Sequence, residues 1–306
     1  QPAATSEVCQ VACANYLSQG GINVTTQAYY LPKSVDEAVG LLAEHGPSLL
    51  VMAGGTIAMP LINDGISFPE RVMGLRRAGL DSISRSNGHH AIGATVTLSQ
   101  MLTWDEIPLL QKAAHNVGGW AIRNMATVGG NLFAPPPSGD FAVALLALDA
   151  QVVLTSAAGQ RVVPLNDFYT GFMTTVVQPG ELVSEIRVPV PAGKTAYLKF
   201  ARRETNTPAI VTVAAHITLD GQRVSDARLA LNGVGPHPFR ARRAESRLIG
   251  SVLDEAAIAH AGELAAEASD PMDDAVASAW YRRKMIPVMV RRALAQIVAK
   301  EASDGI

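Results

Sequence analysis

The run Leu49-Leu50-Val51-Met52-Ala53 contains no polar residue and stops at Gly54-Gly55, and no other segment restricts the fold as strongly. Five apolar residues bounded by turns have the length of a strand. Without polar alternation that strand reads as buried and parallel, of the kind covered by helices. The residues before it supply a helix. Ser34 and Glu37 have the spacing of a capping box, apolar residues recur at Val35, Ala38, Val39 and Leu42, and Gly46-Pro47 ends the pattern. A second glycine pair, Gly129-Gly130, again follows a short apolar run.

The two glycine pairs are the first chemical signal. Backbone N–H groups converge on the oxygens of a diphosphate only where no Cβ holds the chain away, and successive glycines permit that approach. Gly54, Gly55, Gly129 and Gly130 provide it, Thr56 and Thr127 add hydroxyls, and Asn131 adds an amide. Neither segment has the GxxxxGK[ST] spacing of a triphosphate loop or the GxGxxG of a Rossmann turn. No lysine or metal-binding carboxylate lies in either. The pattern therefore favours a diphosphate within a larger cofactor, held by backbone dipoles. Each pair alone is also what a tight turn needs, so spacing leaves these two readings even.

Farther along, Asn87-Gly88 marks a hairpin, with His89 and His90 expected as exposed hairpin residues, and Val152 to Leu165 marks another. Helices are expected near Leu98 to Leu102, Leu109 to Val117 and Phe141 to Leu148. After Pro191 the pattern changes to strands, YLKFAR, AIVTVAAHITL and ARLAL, and from Ala244 to three helical segments. The chain reads as α+β: an arm over residues 1–27, a unit over 28–192 with subdomains of about 28–85 and 86–192, and a C-terminal unit of antiparallel sheet plus helices over 193–306.

A net charge of −2, with 17% charged and 48% hydrophobic residues, gives no electrostatic footprint for nucleic acid or an anionic membrane. No apolar stretch reaches bilayer length and no leader pattern opens the chain, so it reads as cytoplasmic. Cys9 and Cys13 are the two cysteines, too few for an iron–sulfur cluster or a closed zinc site.

AGGT (53–56), IRNMATVGGNL (122–132), Asp140, ALLALDA (144–150), PGELVSEIRVP (179–189), YLKFARR (197–203), NGVGPHPFRARRAE (232–245) and ASAWYRRKMIPVMVRRAL (277–294) resemble, in order and spacing, the FAD-binding medium subunit of the xanthine dehydrogenase and carbon monoxide dehydrogenase family. These are molybdenum hydroxylases. The resemblance covers roughly residues 28 to 300. It implies a two-subdomain FAD-binding fold of the PCMH type followed by a C-terminal domain of the CO dehydrogenase flavoprotein type.

By position, the resemblance implies that Val51, Met52, Ala53, Gly54, Gly55, Thr56, Ile57 and Ala58 wrap the FAD diphosphate, with Thr127, Val128, Gly129, Gly130 and Asn131 as the second phosphate and ribityl loop. Asp140 is implied at the ribityl chain, Lys199 near the pyrimidine end of the flavin, and Val183 near the adenine, although a strand valine needs no ligand to explain it. A molybdopterin-binding large subunit and a small subunit with two iron–sulfur clusters are implied as partners, in a heterotrimer or a dimer of heterotrimers. The chain then relays electrons to an external acceptor and carries no catalytic residue. Three departures stand out. FAPPPSG (133–139) replaces a Ser/Ala-rich stretch and is expected to be stiff and extended, Ile57 replaces an aspartate, and GWAIRN replaces a Pro-Gln-containing segment. Two other classes compete: a self-contained flavin reductase or oxidase of the same fold, and a flavin-free scaffold.

Overall fold

The computed structural model describes residues 26–304 except Asn87 and Thr205, with the backbone alone for 300–304. Cys9, Cys13 and the expected arm through residue 25 lie outside the described residues. The chain begins with strand β1 (Ala28–Tyr30), helix α1 (Val35–His45), strand β2 (Leu49–Met52), the short helix α2 (Ala58–Asn63) and strand β3 (Arg71–Gly74). Ser34 caps α1 by accepting the Glu37 N–H at 3.1 Å, and Gly46 ends it at a φ of 54°. The Glu37 carboxylate takes the N–H of Lys33 at 2.7 Å instead of that of Ser34.

The sheet order is β1-β3-β2, all parallel, so β2 is parallel as expected but stands at an edge. Only its Leu49 is buried, and the remaining three residues are half-buried. The covered strand is β3, where Val72, Met73 and Gly74 are buried.

A five-stranded antiparallel sheet follows. Its elements are β4 (Ile83–Ser86), β5 (His89–Gly93), α3 (Leu98–Thr103), α4 (Pro108–His115), the single turns α5 (Trp120–Arg123) and α6 (Val128–Asn131), α7 (Asp140–Ala147), β6 (Gln151–Ser156), β7 (Gly159–Pro164), a ribbon of β8 (Tyr169–Gly171) and β9 (Thr174–Thr175), and β10 (Leu182–Pro189). The order is β4-β5-β10-β6-β7, which brings β10 back between the two hairpins. His90 corrects the reading of an exposed hairpin pair. It is 3% exposed and packs edge-on against Trp104 at 5.0 Å, because alternation along β5 turns it inward. The proline segment is not extended throughout either. The Ser138 N–H closes a turn on the Pro135 carbonyl at 2.9 Å, and Asn232 Nδ2 donates to the carbonyls of Pro137 and Ser138.

The C-terminal part contains β11 (Lys194–Ala201), β12 (Ala209–Asp220), β13 (Arg223–Asn232), β14 (Phe239–Arg240), α8 (Arg242–Leu248), α9 (Glu255–Glu267) and α10 (Ala279–Asp304). Its four strands pair antiparallel in chain order. The first nine residues of β12 are buried, since both faces are covered. Val211, Val213, Ala215 and Ile217 join a core with Ala261, Val290 and Leu294 of α9 and α10, while Ala214 joins the core around α7. All eight residues of α7 are buried, as an all-round apolar helix at the centre of a molecule must be. Each fully buried Val, Leu or Phe contributes about 1.5–3 kcal/mol, so this doubly covered seam is where burial is most concentrated. Among the described residues no helix is long and apolar enough to cross a membrane.

Candidate cofactor-binding site

Strand β2 delivers the chain to a bend over residues 54–57, which leads directly into α2. All eight residues from Val51 to Ala58 are half-buried. Gly55 adopts a φ of 72°, a conformation that requires glycine. The carbonyls of Gly55 and Ile57 accept the N–H groups of Met59 and Leu61. The N–H groups of Gly54, Gly55, Thr56 and Ile57 donate to no acceptor among the described residues. Four successive donors at one bend are a demand for an acceptor that protein atoms leave open.

The second glycine pair meets this bend from behind. A Cβ on Gly54 would overlap the Met125 carbonyl, and one on Gly130 would stand 3.8 Å from the Ala53 Cβ. The absence of a side chain on Gly54 therefore lets the bend lie against the Met125–Ala126 backbone. The N–H groups of the second pair have partners within the protein. Gly129 N–H donates to the Ala94 carbonyl at 2.9 Å and Gly130 N–H to Thr127 Oγ1 at 3.0 Å, while Val128 and Asn131 N–H groups bond Val96 and Thr127 carbonyls. These donors are spent in forming the α6 turn. A Cβ on Gly129 would lie 2.7 Å from that of Ala94, so this glycine serves close packing on the end of β5. Thr127, Val128, Gly129 and Asn131 are buried.

Asn131, Asp140 and Lys199 are gathered at one seam, but the latter two face each other. Asn131 Oδ1 accepts the Phe141 N–H at 3.1 Å and so satisfies a free donor at the start of α7. Lys199 Nζ lies 2.7 Å from Asp140 Oδ2 and also donates to the Asn116 carbonyl at 2.9 Å. Thr212 Oγ1 donates to Asp140 Oδ1 at 2.7 Å. Both charged side chains are 5% exposed. Burial pushes the Asp140 carboxyl up, and Lys199 and Thr212 pull it down without cancelling that push. The two groups thus compensate each other inside the protein. Val183 sits 6% exposed on β10 opposite Leu154, within the main core.

Two arginines of the surrounding elements, Arg123 and Arg282, are engaged by protein groups. Arg123 Nη1 donates to the carbonyls of His115, Val117 and Gly118, which closes the end of α4. Arg282 is 1% exposed and binds the carbonyls of Ala209, Ile210 and Gly233 as well as both oxygens of Asp274. Neither is available to a ligand. Arg76 went unread in the sequence, because the run Arg71–Gly74 was not seen as a strand. Its β-branched and apolar residues ending at glycine were the available signal.

The family model described as "FAD binding domain in molybdopterin dehydrogenase" matches residues 23–191. The chain belongs to this family. A second model, "CO dehydrogenase flavoprotein C-terminal domain", matches residues 196–297. Membership makes the protein an FAD-binding flavoprotein subunit of an oxidoreductase. It is similar to the glyceraldehyde dehydrogenase medium chain of Sulfolobus acidocaldarius, with 33% identity over 88% of this chain and 98% of the relative. It is also similar to the 6-hydroxypseudooxynicotine dehydrogenase complex subunit alpha of Paenarthrobacter nicotinovorans, with 36% identity over 90% and 97%. A solved structure of CO dehydrogenase from Oligotropha carboxidovorans superposes with a TM-score of 0.86 at 32% identity, covering 90% of this chain and 98% of the other. The mixed fold of helices with antiparallel sheets is thus that of the family.

Proposed function

We propose that the chain holds FAD with its diphosphate on the bend over residues 54–57 and relays electrons from iron–sulfur clusters of a partner subunit to an external acceptor. One observation carries the placement: four consecutive N–H groups, on half-buried residues, that no group among the described residues accepts from. Diphosphate oxygens are acceptors of the kind such a row of donors fits. When bound, FAD supplies electron exchange in single or paired steps, chemistry that no side chain provides.

The chain's own residues hold and position. Gly55 sets the left-handed bend, Gly54 lets the bend close on the Met125 backbone, and the half-buried Thr56 stands beside the free N–H groups with its hydroxyl. Val51, Met52 and Ala53 bring the chain to the bend, and Ile57 and Ala58 carry it into α2. Asn131, Asp140 and Lys199 act as positioning residues that fix α7 against the end of α4 and β11. Val183 contributes through the core.

The organic substrate is oxidised on another polypeptide, a molybdopterin-binding large subunit, and a small subunit carries the two iron–sulfur clusters. The relatives named above as a medium chain and a complex subunit support this assembly. It is a heterotrimer or a dimer of heterotrimers, and cytoplasmic.

The test is flavin content. The purified chain should be yellow, and apoprotein should rebind FAD. Gly54→Ala forces a methyl group into the Met125 carbonyl, and overpacking of this kind costs about 1–3 kcal/mol, so FAD affinity should fall by roughly ten- to a hundredfold. A wild-type chain that stays colourless in excess FAD sinks the reading. So does a Gly54→Ala variant that keeps its full affinity.

A further inference from the structure

The carboxyl edge of the first sheet places an unpaired cation beside the bend. In the parallel register Met52 lies opposite Gly74, and both chains then leave the sheet, one through Ala53-Gly54 and the other through Leu75-Arg76. The same two-residue step therefore carries Gly54 and Arg76 off adjacent strands at one edge. Met125 touches both. Its carbonyl is the group that a Cβ on Gly54 would strike, and its sulfur accepts from Arg76 Nη2 at 2.6 Å.

That thioether is the partner the structure gives Arg76, and no carboxylate among the described residues pairs with it. A thioether is a weak acceptor, whereas a guanidinium meets phosphate oxygens through two parallel, charge-assisted bonds. Arg76 is exposed, so its hydration leaves it free to turn between these partners. Arg123 is engaged by three carbonyls and Lys199 by Asp140. Backbone dipoles alone would leave the two negative charges of a dinucleotide diphosphate without a formal counter-charge at the bend.

We propose that Arg76 is a cofactor-binding residue, whose guanidinium leaves the Met125 sulfur and pairs with the diphosphate held by the Gly54 bend. The inference rests on the FAD placement above and adds the residue that supplies charge to it. It also separates this site from one that reads only the flavin ring, since a ligand lacking phosphate gains nothing from Arg76.

The experiment titrates deflavinated full-length chain with FAD and with riboflavin at low salt and at about 1 M salt, for wild type, Arg76→Ala and Arg76→Lys. Arg76→Ala is expected to bind FAD about tenfold or more weakly at low salt, since a bond to a charged group is being lost. Arg76→Lys should recover part of that loss as a point charge. At about 1 M salt, where screening acts over roughly 3 Å, the difference between Arg76→Ala and wild type should shrink. Riboflavin affinity should be unchanged by either substitution. The assignment is overturned if Arg76→Ala binds FAD within about twofold of wild type at low salt, or if its deficit is as large for riboflavin as for FAD. Wild type failing to bind FAD would instead remove the cofactor placement itself. An unchanged melting temperature of apo Arg76→Ala shows that the fold is intact, as expected for an exposed side chain.

Discussion

The Asp140 carboxylate and the Lys199 ammonium stand 2.7 Å apart with little access to water, so each is the reason the other can be buried as an ion. Removing one partner of such a pair costs about 3–5 kcal/mol, because the remaining charge has no solvent to turn to. Lys199→Met should therefore lower unfolding stability by about 3–5 kcal/mol, and adding Asp140→Asn should recover much of the loss, as seen by urea denaturation. A single variant within about 1 kcal/mol of wild type would show the pair to be dispensable. Residue type alone could not reveal this pairing. The sequence marks an aspartate and a lysine 59 positions apart, and only the meeting of α7 with β11 makes them partners. Gly55 lies at the other extreme, since a glycine at the exit of an apolar run already implies a backbone turn that side chains resist.

Helix signals were legible where local chemistry fixes them. Ser34 with Glu37, and the Gly46 stop, are properties of a few neighbouring residues, and α1 forms within one residue of its expected start. The β2 strand was also legible, but its position at the edge was not, because sheet order depends on β3 and on contacts far along the chain. The second glycine pair shows the same limit: its turn was visible, whereas the use of its N–H groups depended on Ala94 and Thr127. Helix crossings are set by such non-local fits. Gly262 of α9 faces Pro287 of α10, where a Cβ would stand 3.0 Å from the proline Cα and 3.2 Å from its carbonyl oxygen. A larger side chain must push the helices apart and loosen the core they share with β12. Gly262→Leu is expected to cost about 1–3 kcal/mol in a chemical denaturation curve while leaving FAD stoichiometry unchanged. Stability equal to wild type would mean that the crossing adapts without strain.

Three cores are stacked through the molecule, one under the first sheet, one around α7 and one between the last sheet and its helices. Composition signalled a globular interior, but not that β12 would serve two of these cores at once. That arrangement buries titratable groups on the elements between the cores, and stability should depend on pH in two separable ranges. His216 on β12 is 2% exposed with neither ring nitrogen bonded. Burial lowers its pKa from the ordinary 6.5, with Arg228 and Arg240 pushing the same way and Asp226 opposing. Burial likewise lowers His90, helped by Arg85 and His89 and opposed by Glu106. The unfolded chain then binds more protons than the folded one just below pH 6.5, so stability falls as pH drops through that range. Glu181 behaves as the opposite charge type. Its hydrogen bonds from Arg161 hold the carboxyl below its ordinary 4.5, so the stability it contributes is complete above that value and is lost as pH falls through the folded one. Unfolding free energy measured from pH 8 to pH 3 should decline first below about 6.5 and again below about 4.5. His216→Leu should reduce the first decline to the part that His90 contributes and leave the second, whereas Glu181→Gln should reduce the second and leave the first. If both variants follow the wild-type slope throughout, neither the buried imidazole nor the Arg161 pair governs the response to acid.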